Sequence, residues 1–180
     1  MLQVSVPQGE VFDEKTSEFI SVAPIVLRLE HSLVSISKWE AKWKQPFLSS
    51  NEKTTQQMLD YVACMTLNQN VDENVYRVLP QSLMTEISNY IAEDQTATWF
   101  TEKRVPPSRE VVTSELIYYW MTAHNIPFEC QKWHLSRLLT LIRICNIKND
   151  PDQKKMSRSD IYARNRKLNA ARRKARNSRG

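Results

Sequence analysis

Cys130 and His134 are the side chains whose types and spacing come nearest to reaction chemistry. They lie four residues apart, so one helix would place them on the same face, with Glu129 beside them and His124 shortly before. A thiolate and an imidazole could bind zinc, but structural zinc sites usually take four ligands from two paired clusters, and no second pair exists. A nucleophilic Cys–His pair would also need an oxyanion hole and an orienting carboxylate, which no pattern supplies. We therefore predict no metal, no cofactor and no catalytic residues.

Glycine is scarce, since the chain has only Gly9 and Gly180. Phosphate-binding loops, dinucleotide-binding fingerprints and nucleophile elbows need glycine where the backbone turns tightly or approaches a ligand. This sequence contains none of these motifs, and their absence favours a protein that is not an enzyme. Two-residue β-hairpin turns also favour glycine, so an all-β fold is not expected.

The cysteines and the apolar runs indicate a cytosolic, non-membrane protein. Cys64, Cys130 and Cys145 are odd in number and lack paired spacing, which is typical of reduced, buried thiols. The N-terminal residues contain no basic region followed by an apolar stretch, so no secretory signal is predicted. No apolar run approaches the roughly 18 residues that a membrane span requires.

Two segments near the N-terminus alternate apolar and polar residues, the pattern of a strand with one buried face. They are residues 2–6, which end at Pro7, and residues 25–33, which follow Pro24. The polar stretch 8–18 joins them without identifying a turn type. We predict a small antiparallel β ribbon within about residues 1–34, with the potential to pair with another chain.

Helical patterns begin after the ribbon. Ser37–Glu40 has the sequence of a capping box, in which a serine hydroxyl and a glutamate satisfy the first backbone N–H groups of a helix, and Pro46 would end that helix. Thr54–Gln57 resembles a second capping box. Pro80 suits the first position of a further helix.

Two more helices are predicted after the adjacent prolines Pro106 and Pro107, which cannot lie inside a helix. The first would run from Ser108 to about Ala123. The second would cover about residues 128–146 and is the most apolar in the chain, so we expect Leu138 and Ile142 to be buried.

Four aromatic residues are candidates for a protein interface rather than for base stacking, because they lie in the acidic part of the chain. The run that begins at Tyr118 must cover more than one helix face, so part of it is free to meet another chain. The interface candidates are Trp39, Trp43, Tyr118 and Trp120.

Positive charge is concentrated at the C-terminus. Residues 153–180 contain eleven basic residues and one acidic residue, a net charge of +10, whereas the remaining residues have a net charge of −5. This asymmetry predicts an anionic partner for the tail: nucleic acid, an acidic protein surface or a neighbouring copy of the chain. The candidate partner-binding residues are Lys154, Lys155, Arg158, Arg164, Arg166, Lys167, Arg172, Arg173, Lys174 and Arg176.

These patterns together predict a mainly α fold with a small N-terminal β element. The helical body would cover residues 1–150, and residues 151–180 would form a linker and a basic helical tail. A third capping box, Ser157–Asp160, begins that tail helix. Its apolar stripe is thin, so we expect the helix to order on a partner.

Several stretches resemble proteins encoded among the tail genes of tailed bacteriophages. They are LRLEHSLVSISKWEAKWKQPFL at 27–48, TATWF at 96–100, TSELIYYWM at 113–121, IPFECQKWHLSRLLTLI at 126–142, and the KKMSR and RKLNAARR runs of the tail. The resemblance implies a tail assembly chaperone, a helical and non-enzymatic protein of the host cytoplasm. Such chaperones coat the tape measure protein while the tail tube grows around it.

Two other classes of protein remain open. A virion structural protein, such as a neck or tail component, would lay the basic tail across neighbouring subunits. A nucleic-acid-binding protein would use the tail on phosphates. Homo-oligomerisation fits each class.

Overall fold

The computed structural model describes residues 1–13, 17–49, 52–100 and 110–149, and the helical residues Tyr162, Ala163, Asn165, Arg166 and Asn169. The chain divides into two compact units, Met1–Arg143 and Ile144–Gly180. The described residues form a mixed fold, in which short antiparallel strands at the N-terminus precede a series of helices. The predicted order, β then α, is confirmed. Apart from those five helical positions, the predicted linker and basic tail lie outside the described residues.

The predicted β ribbon is present. Strand β1 (Leu2–Val6) pairs antiparallel with β4 (Ile25–Leu29), and Val4 lies opposite Leu27. Val4, Val6, Leu27 and Leu29 are buried, because one face of the ribbon packs against the helices, and Leu2 and Ile25 at its ends are half-buried. Strand β4 ends four residues earlier than the alternation predicts, since Leu33 already belongs to a helix.

A second hairpin lies between β1 and β4, where the sequence pattern predicts no strand. Strands β2 (Gly9–Asp13) and β3 (Glu18–Val22) pair antiparallel. One face of this hairpin is anchored, since a Cβ atom at Gly9 would lie 3.0 Å from the side chain of Val78. Ser17 has a φ of 56°, the left-handed conformation that glycine usually supplies. The scarcity of glycine therefore did not prevent a hairpin.

Helix α1 (Leu33–Trp43) begins earlier than predicted. Its capping box is Ser32 with Ser35: the Ser32 hydroxyl accepts from the Ser35 N–H, and the Ser35 hydroxyl accepts from the Ser32 N–H. The predicted box at Ser37–Glu40 is wrong, because these residues lie inside the helix. The helix ends before Pro46, as predicted, at Lys44 in the left-handed conformation.

Three helices follow. Helix α2 (Thr55–Met65) has the predicted capping box, since Thr54 and Gln57 exchange side chain–backbone hydrogen bonds. Helix α3 is a single turn (Asn74–Arg77), and α4 covers Gln81–Ala92. Pro80 is the residue that caps α4 rather than its first helical residue.

The last two predicted helices need correction. Helix α5 covers Ser114–Ala123 with Thr113 as its N-cap, so the start predicted at Ser108 is wrong. The single helix predicted over 128–146 is also wrong. A 3₁₀ helix (Phe128–Lys132) is followed by two non-helical residues, Trp133 and His134, and then by α6 (Leu135–Asn149).

The break before α6 has a tertiary cause. Ser32 and His134 form an isolated antiparallel β-bridge, and the Leu135 N–H donates to the His31 carbonyl at 2.8 Å. These bonds hold the backbone extended where a continuous helix would bond to itself.

Leu138 and Ile142 are buried, as predicted, with 0% and 3% of their surface exposed. We expect Leu138→Ala to lower the free energy of unfolding by at least about 2 kcal/mol, because it leaves a cavity in a closely packed core. Urea denaturation followed by circular dichroism measures this change. Leu141→Ala, at a half-buried position of the same helix, is the matched control and should cost clearly less. Equal losses in the two variants would contradict the assignment of Leu138 to the core.

Candidate protein-interaction surfaces

Cys130 and His134 do not lie on one continuous helix, contrary to the prediction from their spacing. Cys130 belongs to the 3₁₀ helix and His134 to the extended break, so they do not share a helix face. Both imidazole nitrogens of His134 have partners: Nδ1 lies 2.9 Å from the Ser136 hydroxyl, and Nε2 lies 3.2 Å from the Tyr90 carbonyl oxygen. Both nitrogens therefore take part in hydrogen bonds within the chain. No group of three metal-binding side chains occurs in the part of the chain that the structure describes.

Two buried imidazoles meet at the junction of β4, α1 and α6. The rings of His31 and His134 are 5.1 Å apart, and Nδ1 of His31 is hydrogen-bonded to the Tyr61 hydroxyl. Burial, and secondarily the neighbouring His134, lower the pKa of His31 from 6.5 to about 4. Burial also lowers the pKa of His134. Both rings are therefore neutral near pH 7 and have a structural role.

The lowered pKa of His31 predicts acid destabilisation. Its folded pKa lies below its unfolded value of 6.5, so the unfolded state binds the proton first as the pH falls from 6.5 towards 4. The contribution of neutral His31 to the free energy of unfolding is complete above pH 6.5 and is lost on acidification. At pH 5, the titration of His31 alone should lower the free energy of unfolding by about 2 kcal/mol. Urea denaturation at pH 7.5 and pH 5 measures the difference.

A His31→Gln variant separates this effect from other titrations. This variant should be less stable than the wild type at pH 7.5. Between pH 7.5 and pH 5, however, its free energy of unfolding should fall by about 2 kcal/mol less than that of the wild type. A His31→Gln difference equal to that of the wild type would contradict the prediction.

Glu40 is buried, which the sequence patterns did not predict. Its Oε1 accepts from the Phe47 N–H at 2.7 Å, and its Oε2 accepts from the Ser114 N–H at 2.8 Å. The two bonds join α1 to the segment that follows it and to the first turn of α5. Because both side-chain oxygens are hydrogen-bonded, the cost of burying this polar group is offset.

The two tryptophans of α1 differ in their surroundings. Trp39 is 1% exposed, and its indole N–H donates to the Gln57 carbonyl at 2.8 Å. Trp39 is therefore a core residue of this chain, contrary to its prediction as an interface residue. Trp43 is half-buried, and its N–H donates to Asp60, which also pairs with Lys42.

The aromatic run of α5 leaves part of its surface uncovered. Its neighbours Ile117 and Met121 are buried, whereas Tyr119 points away from the core and is 66% exposed. Tyr118 and Trp120, both half-buried, flank Tyr119. Phe128 of the 3₁₀ helix is 56% exposed, with its ring 6.3 Å from that of Tyr118. The α5 surface is defined by the side chains of Tyr118, Tyr119, Trp120 and Phe128.

A second exposed aromatic surface lies on the β2–β3 hairpin. Phe12 and Phe19 are directly opposite in the pairing register, with ring centroids 5.2 Å apart. They are 45% and 71% exposed, whereas Val11 and Val22 on the other face are buried. The hairpin face is defined by the side chains of Glu10, Phe12 and Phe19. The apolar pair Val11 and Phe12 between Glu10 and Asp13 was the available signal for this strand, but it covers too few residues to stand out.

Of the candidate partner-binding residues of the tail, Arg166 is described. It is exposed and helical, and the exposed Tyr162 precedes it by one turn on the same face. The other candidates lie outside the described residues: Lys154, Lys155, Arg158, Arg164, Lys167, Arg172, Arg173, Lys174 and Arg176.

No family model, curated protein or solved structure matches this chain. Within the described residues, the helices are too short or too polar to cross a membrane.

Proposed function

We propose that this chain is a non-enzymatic tail assembly chaperone of a tailed bacteriophage. It would act in the host cytoplasm through contacts with the tape measure protein. The phage role rests on the resemblance of residues 27–48 and 96–180 to tail-module proteins. The interaction role rests on the α5 surface, where Tyr119 and Phe128 are exposed next to half-buried aromatic rings.

The α5 surface has the composition of a protein-binding site. Aromatic side chains bury a large area with few rotatable bonds, so they contribute strongly to binding free energy. The exposed carboxylates Glu115 and Glu129 lie near them in sequence, and residues 110–131 contain no lysine or arginine. The client segment that fits would combine apolar residues with neutral or positive charge.

Co-purification with the tape measure protein from the same phage tests the proposal. The wild-type chain should form a complex, and Tyr119→Ala with Phe128→Ala should weaken it by about tenfold or more. Leu67→Ala, another exposed apolar residue remote in sequence, is the matched control and should bind as the wild type does. A double variant that binds with wild-type affinity would remove the α5 surface from the proposal.

Purified phage particles separate the chaperone from a virion structural protein. A chaperone should be absent from mature particles by mass spectrometry, whereas a neck or tail component should be present in a fixed ratio to the other structural proteins. Salt-dependent DNA binding that is lost on removal of residues 153–180 would instead favour the nucleic-acid-binding class.

A further inference from the structure

A groove of about 450 Å³ lies between α6 and the segment that follows α4 (residues 94–100). That segment is attached to α6, because the Gln95 N–H donates to the Ser136 hydroxyl at 3.0 Å. It is also held locally by the Thr98 N–H, which donates to the Thr96 hydroxyl at 3.2 Å. The volume lies within the range of about 300–1,000 Å³ that is typical of small-ligand sites. The groove is distinct from the α5 surface, so it is a candidate for a second function.

Arg143 lines this groove, and its guanidinium is held there by an aromatic ring. The guanidinium carbon lies 4.1 Å from the centre of the Phe100 ring. With no described residue does Arg143 form an ion pair or a side-chain hydrogen bond, so its N–H groups are available to a ligand. The hydroxyls of Thr98 and Thr140, which also line the groove, have no hydrogen-bond partner among the described residues either. A planar guanidinium with neutral hydroxyl donors beside it suits a phosphate group.

Trp99 supplies a flat aromatic surface in the same groove. Its side chain is 88% exposed, more than that of any other large apolar residue in the described part of the chain. Packing in the core therefore does not account for an indole at this position. Indole faces stack on planar rings, and base–aromatic stacking is a main source of affinity for single-stranded nucleic acid. Asp94, the one carboxylate among the described lining residues, can accept a hydrogen bond from an N–H group of a base.

We propose that this groove binds one nucleotide unit, with the base stacked on Trp99 and the phosphate at Arg143. A nucleotide carries a planar ring and an anionic group a short distance apart, which matches an indole and a guanidinium in a groove of this size. An acidic peptide would supply the anion but would leave the exposed indole without a stacking partner. The inference is independent of the phage role and of the basic tail, because it uses only residues 94–143.

Binding of a fluorescein-labelled thymidylate octamer to the full chain tests the proposal, by fluorescence anisotropy at about 0.3 M salt, where the contribution of the basic tail is reduced. Trp99→Ala should weaken binding about tenfold, because it removes the stacking surface. Arg143→Ala should weaken binding to a similar extent. It should also reduce the slope of log affinity against log salt by about 0.7, the value for one phosphate contact on a single strand, whereas Trp99→Ala should leave that slope unchanged.

Arg137→Ala is the matched control. Arg137 is an exposed arginine of the same helix and stacks on Trp133 at 4.9 Å, but it does not line the groove, so its variant should bind as the wild type does. Trp99 and Arg143 are both exposed, so their variants should keep the urea midpoint of the wild type. An octamer that retains the phosphates but lacks the bases should bind the wild type about tenfold more weakly than the thymidylate octamer does.

Thymidine monophosphate distinguishes the two sources of a nucleotide. An affinity equal to that of the octamer would indicate a free nucleotide, and a much weaker one would indicate a unit of a single strand. The proposal is overturned if both groove variants bind the octamer as the wild type does, if the octamers with and without bases bind equally, or if the wild type binds neither. Tighter binding of a glutamate octapeptide than of the thymidylate octamer, lost in Arg143→Ala, would overturn it in favour of an acidic protein segment.

Discussion

Replacing Glu40 with alanine should lower the free energy of unfolding by about 2–6 kcal/mol, since each of two buried N–H groups left without an acceptor costs about 1–3 kcal/mol. The two groups belong to Phe47 and Ser114, which are 7% and 1% exposed. Water cannot easily replace the carboxylate at these sites, so the first turn of α5 would lose its attachment to α1. Urea denaturation of the wild type and the variant measures the loss.

Two further variants test whether the loss of stability comes from the hydrogen bonds of Glu40. Glu40→Gln retains one acceptor oxygen and should lose roughly half as much stability as the alanine variant. Glu86→Ala, at an exposed position of α4, removes the same type of side chain and should change stability by no more than about 0.5 kcal/mol. If Glu40→Ala unfolds at the wild-type urea concentration, the carboxylate does not hold these elements together.

Trp39→Ala should destabilise the chain by about 3–5 kcal/mol, the usual cost of removing a large aromatic side chain from a core. The indole is 1% exposed, packs edge-on against the Phe47 ring at 5.1 Å, and donates to the Gln57 carbonyl. Its removal would leave a cavity between α1 and α2 and an unpaired carbonyl. Thermal and urea unfolding should both show the loss.

Trp43 on the same helix provides the comparison. It is half-buried, and its N–H donates to Asp60, so Trp43→Ala should cost no more than about 2 kcal/mol. If the two tryptophans were equivalent interface residues, both variants would remain stable and lose only partner binding. A stable Trp39→Ala chain would therefore restore Trp39 as an interface candidate.

Short-range patterns predicted the elements whose hydrogen bonds and side-chain faces are set within a few residues. The alternation in β1 and β4 identified both strands, because a strand with one buried face requires a period of two. Thr54 and Gln57 predicted the start of α2, since a capping box is completed by neighbours along the chain. Pro46 correctly limited α1 for the same local reason.

Contacts between distant residues decided where the predictions fail. The sequence pattern predicts a helix start at Ser37, whereas the cap is Ser32, in a chain segment that also bridges to His134. The 128–146 segment has a helical pattern throughout, yet Leu135 donates to His31 and the helix breaks. Here a tertiary hydrogen bond replaced the local one that the pattern implies.

Some features of the candidate surfaces also follow from the sequence alone, and others depend on tertiary contacts. Sequence alone determined the concentration of charge at the C-terminus and the excess of aromatic side chains over one helix face at Tyr118–Met121, because composition and periodicity fix both. Only the tertiary structure decided that Trp39 is core, that Glu40 joins α1 to α5, and that Phe12 and Phe19 form one exposed face. Burial depends on which elements pack together, and these partners are far apart along the chain.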